Sequence, residues 1–408
     1  MKRYKVAIVS DTFLPQVGGL EVHMHDLAEE LTRQGHEAHV ICATPDGLTD
    51  SIPSAYPVHR INVPLFARIQ RVRSTKFYQP LARLLSDGDF DLVHAHCVYS
   101  PLGQSACYIA KQLGIPSVLT LHSVIEGSSR VALRSFNWLA RWGNWPTVLT
   151  AVSQYVSEEL KRVSGRDDVV VLPNAVRLQD WTVERAETQR VISVTRLASR
   201  KRPLDLIRMI PAVLDSLPRH LWPVFTIVGD GPERPKVESA IKRLGIAEHV
   251  ELTGVVSRSA VRDMLSRSSI FALPSYHEAY PIAVIEARSA GLPVVARTPN
   301  GVAEIIEHGK QGLLAASSEE FVRYLVTLIR DPALRAQMSF EALQGIEKFG
   351  WEYGLQRHLD LYRYATERFD RHRPAKHADR PRLGEPLVDV PPRPTPQSES
   401  TGARTSSG

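Results

Sequence analysis

Cysteine is scarce in this sequence, and its few copies lack the spacing that metal and redox motifs require. The 408-residue chain has three, Cys42, Cys97 and Cys107, an odd number without a CxxC pair. This pattern disfavours a disulfide-stabilised fold and is typical of reduced thiols in a cytosolic protein.

Long hydrophobic runs are also missing. No stretch is long enough to span a bilayer, and the run from Val6 to Val9 is too short for a signal peptide and is followed by Asp11. The sequence therefore predicts a cytoplasmic protein. Any membrane contact is expected to be peripheral, on the inner face of the membrane.

Neither sign of charge dominates, since the net charge of +6 is modest for this length. Such an excess suits an anionic substrate or an acidic membrane surface and does not choose between them. Two basic segments with aromatic residues suit a headgroup interface, or equally a core-facing helix with a solvated basic face. No nucleic-acid module is visible, so nucleic acid is not expected as a partner. The basic residues are Arg60, Arg68, Arg71, Arg73, Lys76 and Arg83 in one segment, and Arg130, Arg134 and Arg141, near Phe136, Trp138, Trp142 and Trp145, in the other.

What the sequence does contain is a regular alternation of strand-like and helical patterns. A β-branched run from Lys5 to Ser10 precedes a glycine loop, apolar residues at helical spacing from Leu20 to Leu31, and a second run from Ala38 to Ala43. The order strand, helix, strand is the βαβ unit from which parallel sheets are built. Further strands are predicted at 91–94, 117–121, 148–151, 190–195, 224–228, 249–253, 270–273 and 294–296, and helices at 102–113, 131–142, 153–163, 203–217, 233–244, 258–268 and 282–290.

Two series of similar size predict an α/β protein with two Rossmann-like, doubly wound domains and a linker near 173–189. Beyond about residue 370 the composition changes. Residues 374–408 contain seven prolines and no hydrophobic period, which predicts a disordered tail.

The first loop with a chemical signal runs from Asp11 to Gly19 and ends in the pair Gly18-Gly19, just before a helix. Paired glycines let a ligand approach the backbone, and a helix start offers free N–H groups to an anion. An ordinary tight turn explains the same residues equally well. The G-x-G-x-x-G dinucleotide motif is absent.

A cationic loop follows the strand near 190–195. Arg196 and Lys201 project from this strand end and could neutralise a diphosphate, whereas Arg200 and Arg202 fit a merely solvated charge run. A second turn after Val228, with Gly229 and Gly231, is predicted at the same sheet edge.

Two glutamates eight residues apart, Glu278 and Glu286, give the most specific signal. A fully helical connection would separate them by roughly 12 Å. Such a distance suits two acids that hold opposite ends of a polyhydroxylated ligand, and it exceeds the roughly 5–9.5 Å between the paired acids of glycosidases. The alternative is a capped helix with one solvated glutamate, which fits poorly with the apolar surroundings of Glu286.

His122 ends the strand at 117–121, where open α/β sheets bind ligands, although a lone histidine in this place is often structural. His94 and His96 occupy a similar edge. No third ligand accompanies them, so no metal site is predicted.

Taken in order, these residues resemble glycosyltransferase family 4 over roughly residues 4–370. The resemblance rests on Glu278 and Glu286 together with an ordered set of weaker landmarks. Small residues replace common glycines at Thr195, Ala175 and Ala279. The landmarks are Gly18-Gly19, His122, Pro173-Asn174, Arg196 with Lys201, Gly229-Asp-Gly-Pro, Gly254 and Gly291-Leu-Pro-Val-Val.

The resemblance implies a GT-B fold: an acceptor-side domain at 1–172, a nucleotide-sugar-binding domain at 173–350, a helix at 351–370 crossing back to the first domain, and the tail at 371–408. It further implies a catalytic set and a donor-binding set of residues. The catalytic set is His122, Arg196, Lys201 and Glu278, and the donor-binding set is Gly18, Gly19, Gly229, Val255, Val256, Ala279, Tyr280, Pro281, Ile282 and Glu286.

Within the family, runs such as Leu121-His-Ser look like the phosphatidylinositol N-acetylglucosaminyltransferase catalytic subunits and their prokaryotic relatives. This similarity implies a retaining transfer of N-acetylglucosamine from UDP-N-acetylglucosamine to a lipid-linked, inositol-like or other small acceptor. No cofactor and no metal are expected. A same-fold nucleotide-sugar epimerase and a non-catalytic nucleotide-sugar-binding relative remain as alternatives.

Overall fold

The computed structural model describes residues 2–16, 18–43, 54–61, 78–186 and 188–372. Most of the first predicted basic segment and nearly all of the predicted tail lie outside these residues. The tail was expected from residue 371, but the last helix continues to His372.

The first half of the chain forms a seven-stranded parallel sheet in the order β3-β2-β1-β4-β5-β6-β7. Its central strands are buried because helices cover both faces, and every residue of β4 and β5 is buried, including the polar ones. The strands are β1 (Lys5–Ser10), β2 (Glu37–Ala43), β3 (Val58–Ile61), β4 (Leu92–His96), β5 (Ser117–Leu121), β6 (Val148–Ala151) and β7 (Val170–Val171).

In the part of the chain that the structure describes, five helices connect these strands and begin at the carboxyl edge of the sheet. The helix at Pro101–Leu113 has its first turn fixed by two side chains, since Ser100 Oγ accepts from the Gly103 N–H and Asp11 Oδ1 from the Leu102 N–H. The helices are α1 (Gly19–Arg33), α2 (Gln79–Asp87), α3 (Pro101–Leu113), α4 (Gly127–Ala140) and α5 (Gln154–Ser164).

The second half forms a six-stranded parallel sheet in the order β10-β9-β8-β11-β12-β13. The predicted α/β class with two doubly wound sheets is thus confirmed. The strands are β8 (Arg190–Val194), β9 (Val224–Val228), β10 (Val250–Gly254), β11 (Ile270–Leu273), β12 (Val294–Arg297) and β13 (Gly312–Ala315), and the helices are α6 (Pro203–Asp215), α7 (Arg234–Leu244), α8 (Arg258–Ser266), α9 (Ile282–Ser289), α10 (Ser318–Arg330) and α11 (Pro332–Leu343).

The last helix, α12 (Trp351–His372), returns to the first half of the chain. The Trp351 ring stacks on the buried His23 ring of α1 at 5.3 Å, and the Tyr362 hydroxyl hydrogen-bonds His94 Nδ1 of β4 at 2.9 Å. The helix thus packs against α1 and β4 of the first half. The domain boundaries that the resemblance implies stay a prediction.

Several strands and helices were not predicted from the sequence. The strand β7 has only two residues, and β3 and β13 have four each, so period and length carry little signal. The helices α2, α10 and α11 were not predicted either. The predicted strands and helices mostly agree within a few residues with those of the structure.

We expect Tyr362→Phe to lower the free energy of unfolding by about 1–3 kcal/mol, because His94 Nδ1 loses its buried partner. Urea denaturation monitored by circular dichroism measures the change. Tyr353→Phe is the control on the same helix, since the Tyr353 side chain is 51% exposed. Equal losses in both variants would contradict a special role for the Tyr362 hydroxyl.

Candidate active site

Two helices, one from each half of the chain, begin close together without side-chain caps. The N-cap of α1 is Gly18 and that of α9 is Pro281, and neither provides a capping hydrogen bond. A Cβ placed on Gly19 would lie 3.9 Å from Ile282 Cδ1, so the two helix starts are close together. Uncapped helix starts carry partial positive charge and favour an anion between them.

Gly18 is required by its neighbour Glu21. A Cβ on Gly18 would lie 2.5 Å from Glu21 Oε2, and the Glu21 carboxylate is held in place by the Thr12 hydroxyl at 2.6 Å. A larger residue at position 18 would therefore displace the Glu21 carboxylate from its contact with Thr12.

Lys201 and Glu278 form an ion pair at the carboxyl edge of the second sheet. The Lys201 ammonium lies 2.8 Å from both carboxylate oxygens, and the Glu278 side chain is only 4% exposed. The two residues follow β8 and β11, which are neighbours in the sheet, so their loops meet. This pair brings together two of the four predicted catalytic residues.

Arg196 lies on the same loop as Lys201 and is exposed. Among the residues that the structure describes, it forms no ion pair or hydrogen bond through its side chain. A guanidinium in this state is available to an incoming anion without first breaking another contact.

The turn next to Arg196 depends on glycine. Gly229 has φ 129°, and a Cβ there would lie 2.1 Å from the Thr195 carbonyl oxygen. The Gly229 N–H donates to the Gly254 carbonyl at 2.9 Å, which brings the end of β10 to this turn. The next residue, Val255, is 70% exposed, and Val256 packs partly against the core.

The segment between the two glutamates is tightly held. The Gly301 N–H donates to the Glu278 carbonyl at 2.8 Å, and a Cβ on Gly301 would lie 1.7 Å from the Ala279 carbonyl oxygen. Asn174, from the predicted linker, donates to the Tyr280 carbonyl at 3.1 Å. The backbone before α9 is therefore fixed from both sides.

Glu286 is buried on α9, and this burial raises its pKa from 4.5 to about 7. The nearby Arg258 opposes the shift and Asp26 adds to it. Arg258 itself lies 3.1 Å from Asp26 of α1, so this ion pair joins the two halves beside Glu286. The sequence patterns did not reveal Arg258 or Asp26, because 232 residues separate them.

His122 follows β5 and belongs to a cluster of histidines under α12. Its Nε2 lies 2.8 Å from His96 Nδ1, and its ring is 5.4 Å from that of His23. Burial lowers the pKa of His122 to about 3, His358 adds to this, and Asn174 opposes it. His122 is therefore neutral near pH 7 and can exchange hydrogen bonds without carrying charge.

The clustered histidines do not form a metal site. Among the described residues, no group of three or more His, Cys, Asp or Glu side chains is arranged to hold a metal ion. Two surface cavities of about 330 and 340 Å³ lie elsewhere, and no predicted site residue lines them.

Glu286→Gln tests the burial of this carboxyl through stability. Between pH 4.5 and about 7 the folded protein keeps a proton on Glu286 that the unfolded chain loses, so stability falls as the pH rises through this window. We expect the variant to match the wild type near pH 4.5 and to exceed it by about 3 kcal/mol above pH 7. Thermal denaturation at both pH values measures this.

Glu278→Gln is the matched control. It removes a carboxylate that Lys201 already compensates, so it should destabilise the protein above pH 7. A Glu286→Gln difference that is the same at both pH values would show that Glu286 does not titrate in this window.

Two family profiles match adjacent parts of the chain. The profile of Glycosyltransferase Family 4 matches residues 17–180, and that of Glycosyl transferases group 1 matches residues 179–344. Together they cover every strand of the two sheets except β1, and all the predicted site residues. No described helix is both long and apolar enough to cross a membrane.

Known proteins share this similarity over most of the chain. A human phosphatidylinositol N-acetylglucosaminyltransferase subunit is 29% identical over 75% of this chain. The aligned region covers 64% of the length of the human protein. Alpha-monoglucosyldiacylglycerol synthase of Acholeplasma laidlawii is 25% identical over 83% of this chain and 91% of its own. The structure of Anabaena HepE with UDP-glucose superposes with a TM-score of 0.71 at 19% identity, covering 89% of this chain and all of that chain. The chain is thus a glycosyltransferase with the GT-B fold and belongs to glycosyltransferase family 4.

Proposed function

We propose that this glycosyltransferase transfers N-acetylglucosamine from UDP-N-acetylglucosamine to a hydroxyl of a lipid-linked or inositol-like acceptor, with retention of configuration. The observation that carries the proposal is the Lys201–Glu278 pair, which presents a cation and a hydroxyl-binding carboxylate from two adjacent loops. The names of the human and Acholeplasma relatives, which specify lipid acceptors, support the acceptor class.

The donor would be held by groups whose charges match its parts. The diphosphate would contact Arg196, Lys201 and the uncapped starts of α1 and α9. The Glu286 carboxylate would accept hydrogen bonds from the ribose, and Glu278 from the transferred sugar. The exposed Val255 and the backbone of Val256 would border the base.

The reaction proposed for this site is a same-face substitution at the anomeric carbon. The bond from this carbon to the diphosphate oxygen breaks, and the electron pair leaves with the diphosphate, where Arg196 and Lys201 stabilise it. The acceptor oxygen forms the new bond, and its proton passes to the leaving oxygen. His122 is too weak a base for that proton, given its pKa of about 3, and would instead orient the sugar.

No metal and no cofactor form part of this proposal. The positive charge that the departing diphosphate requires would come from the two cationic side chains and the helix starts. We further propose that the protein works on the cytoplasmic side of a membrane, because the proposed acceptor class is anchored in lipid.

A panel of UDP-, GDP- and ADP-sugars tests donor choice. We expect UDP-N-acetylglucosamine to raise the melting temperature most, measured by differential scanning fluorimetry, because ligand binding stabilises the folded state. Incubation of the protein with this donor alone should leave the sugar unchanged. Conversion of the donor sugar without an acceptor would favour the same-fold epimerase. Donor binding without transfer to any acceptor would favour the non-catalytic relative.

Lys201→Ala should lower kcat by about 10²–10³, because the leaving diphosphate loses a preorganised cation. Arg208→Ala is the control, since Arg208 is a 61% exposed arginine on the adjacent helix α6. Circular dichroism verifies that both variants fold, and proton NMR of the wild-type product reports its anomeric configuration. Near-normal kcat in folded Lys201→Ala would refute the role of Lys201, and an inverted product would refute retention.

A further inference from the structure

The helix α4 (Gly127–Ala140) exposes a large apolar surface to solvent. Val131, Trp138 and Leu139 are 66%, 83% and 54% exposed. At about 100° per residue they fall within one arc of the helix of roughly 100°. The opposite side carries Leu133, which is buried, and Phe136, which packs against the core. The helix is therefore anchored on one side and apolar on its outward side.

Basic residues border this outward side. Arg134 lies about 40° beyond the edge of this arc, and Arg141 is the C-cap of the helix; both are exposed. Within the described ranges neither forms an ion pair. Of the acidic residues before and behind the helix, Glu159 pairs with Arg130, and Glu126 lies 3.1 Å from His277. The surface thus combines exposed apolar groups with uncompensated positive charge.

The helix starts at the entrance of the proposed site. Glu126, its N-cap, lies 3.1 Å from His277, the residue before Glu278. The loop from His122 to Glu126 leads directly from the proposed sugar site into the helix. Any partner surface that binds the outward side of α4 would therefore lie next to the proposed site.

We propose that the outward face of α4, formed by Val131, Arg134, Trp138, Leu139 and Arg141, docks on an anionic lipid bilayer. The apolar side chains insert among the headgroups, and the two arginines bind lipid phosphates. This orientation sets the proposed site beside the membrane, so that a lipid-linked hydroxyl reaches it without leaving the bilayer. The inference rests on the proposed function only for the identity of the acceptor.

The structure also corrects the composition of this surface. The sequence associated Trp142 and Trp145 with the basic segment, but both are buried in the core, at 1% and 7% exposure. Arg130 is engaged by Glu159. Of the three tryptophans, Trp138 alone is available for lipid contact.

Vesicle flotation with phosphatidylcholine, alone or mixed with phosphatidylglycerol, tests the docking. We expect the protein to float only with the mixed vesicles. Arg134→Gln with Arg141→Gln should weaken binding about 25-fold, since each arginine near an anionic surface contributes about 1 kcal/mol. Trp138→Ser with Leu139→Ser should weaken it at least about tenfold. Phe340→Ser is the matched control, because Phe340 is 65% exposed on α11 in the other half.

Melting temperature and stabilisation by UDP-N-acetylglucosamine, measured on the same variants, separate docking from donor binding. Lost flotation with an unchanged melting temperature supports the docking face, whether or not the donor proposal holds. Retained donor stabilisation would show in addition that the proposed site is intact. Flotation of the Trp138 and arginine variants at the wild-type level would overturn the inference. A dimer in light scattering that Trp138→Ser dissociates, with unchanged flotation, would also overturn it and assign the face to a second copy of the chain.

Discussion

The carboxylate of Glu278 is buried, and a buried carboxylate persists only where a cation or hydrogen-bond donors replace its hydration. Lys201 supplies this compensation, with Nζ at 2.8 Å from both oxygens. Because the two residues follow neighbouring strands, the ion pair also fixes the relative position of two loops at the carboxyl edge of the second sheet. The remaining groups of the proposed site come from the same edge or from the facing half, so the geometry of the site depends on this pair.

The same pair imposes a condition on the donor. A diphosphate that takes over Lys201 leaves Glu278 without its cation, and breaking one side of a buried pair costs about 3–5 kcal/mol. Sugar hydroxyls that donate to Glu278 would offset this cost. A nucleoside diphosphate without its sugar would not. With the roles proposed for Lys201 and Glu278, the ion pair would couple recognition of the diphosphate to recognition of the sugar and would favour the intact donor over the departed product.

The sequence predicted those parts of the molecule that local pattern encodes. Apolar runs located the central strands, and strand ends located His122, Lys201 and Glu278 at ligand-binding edges. It did not reveal the Asp26–Arg258 pair beside Glu286, because each residue alone looks like a solvated charge on a helix. It also placed Trp142 with Trp138, although one is buried and the other exposed, since composition does not tell which side of a segment faces the core.

The contacts between the two halves differ in kind, and the difference indicates which side can open. At α12 the contact is apolar and buried: Leu355, Leu359 and Tyr362 join the core of the first half. At the opening of the site the contacts are polar. Glu304 accepts from the first N–H groups of α5, and His277 meets Glu126 with both side chains more than a third exposed. Exposed pairs contribute about 0–1 kcal/mol, and water replaces them readily. The two exposed pairs would therefore separate before the apolar contact at α12 if the site opens. The Asp26–Arg258 pair, whose carboxylate is buried, would resist separation beside Glu286.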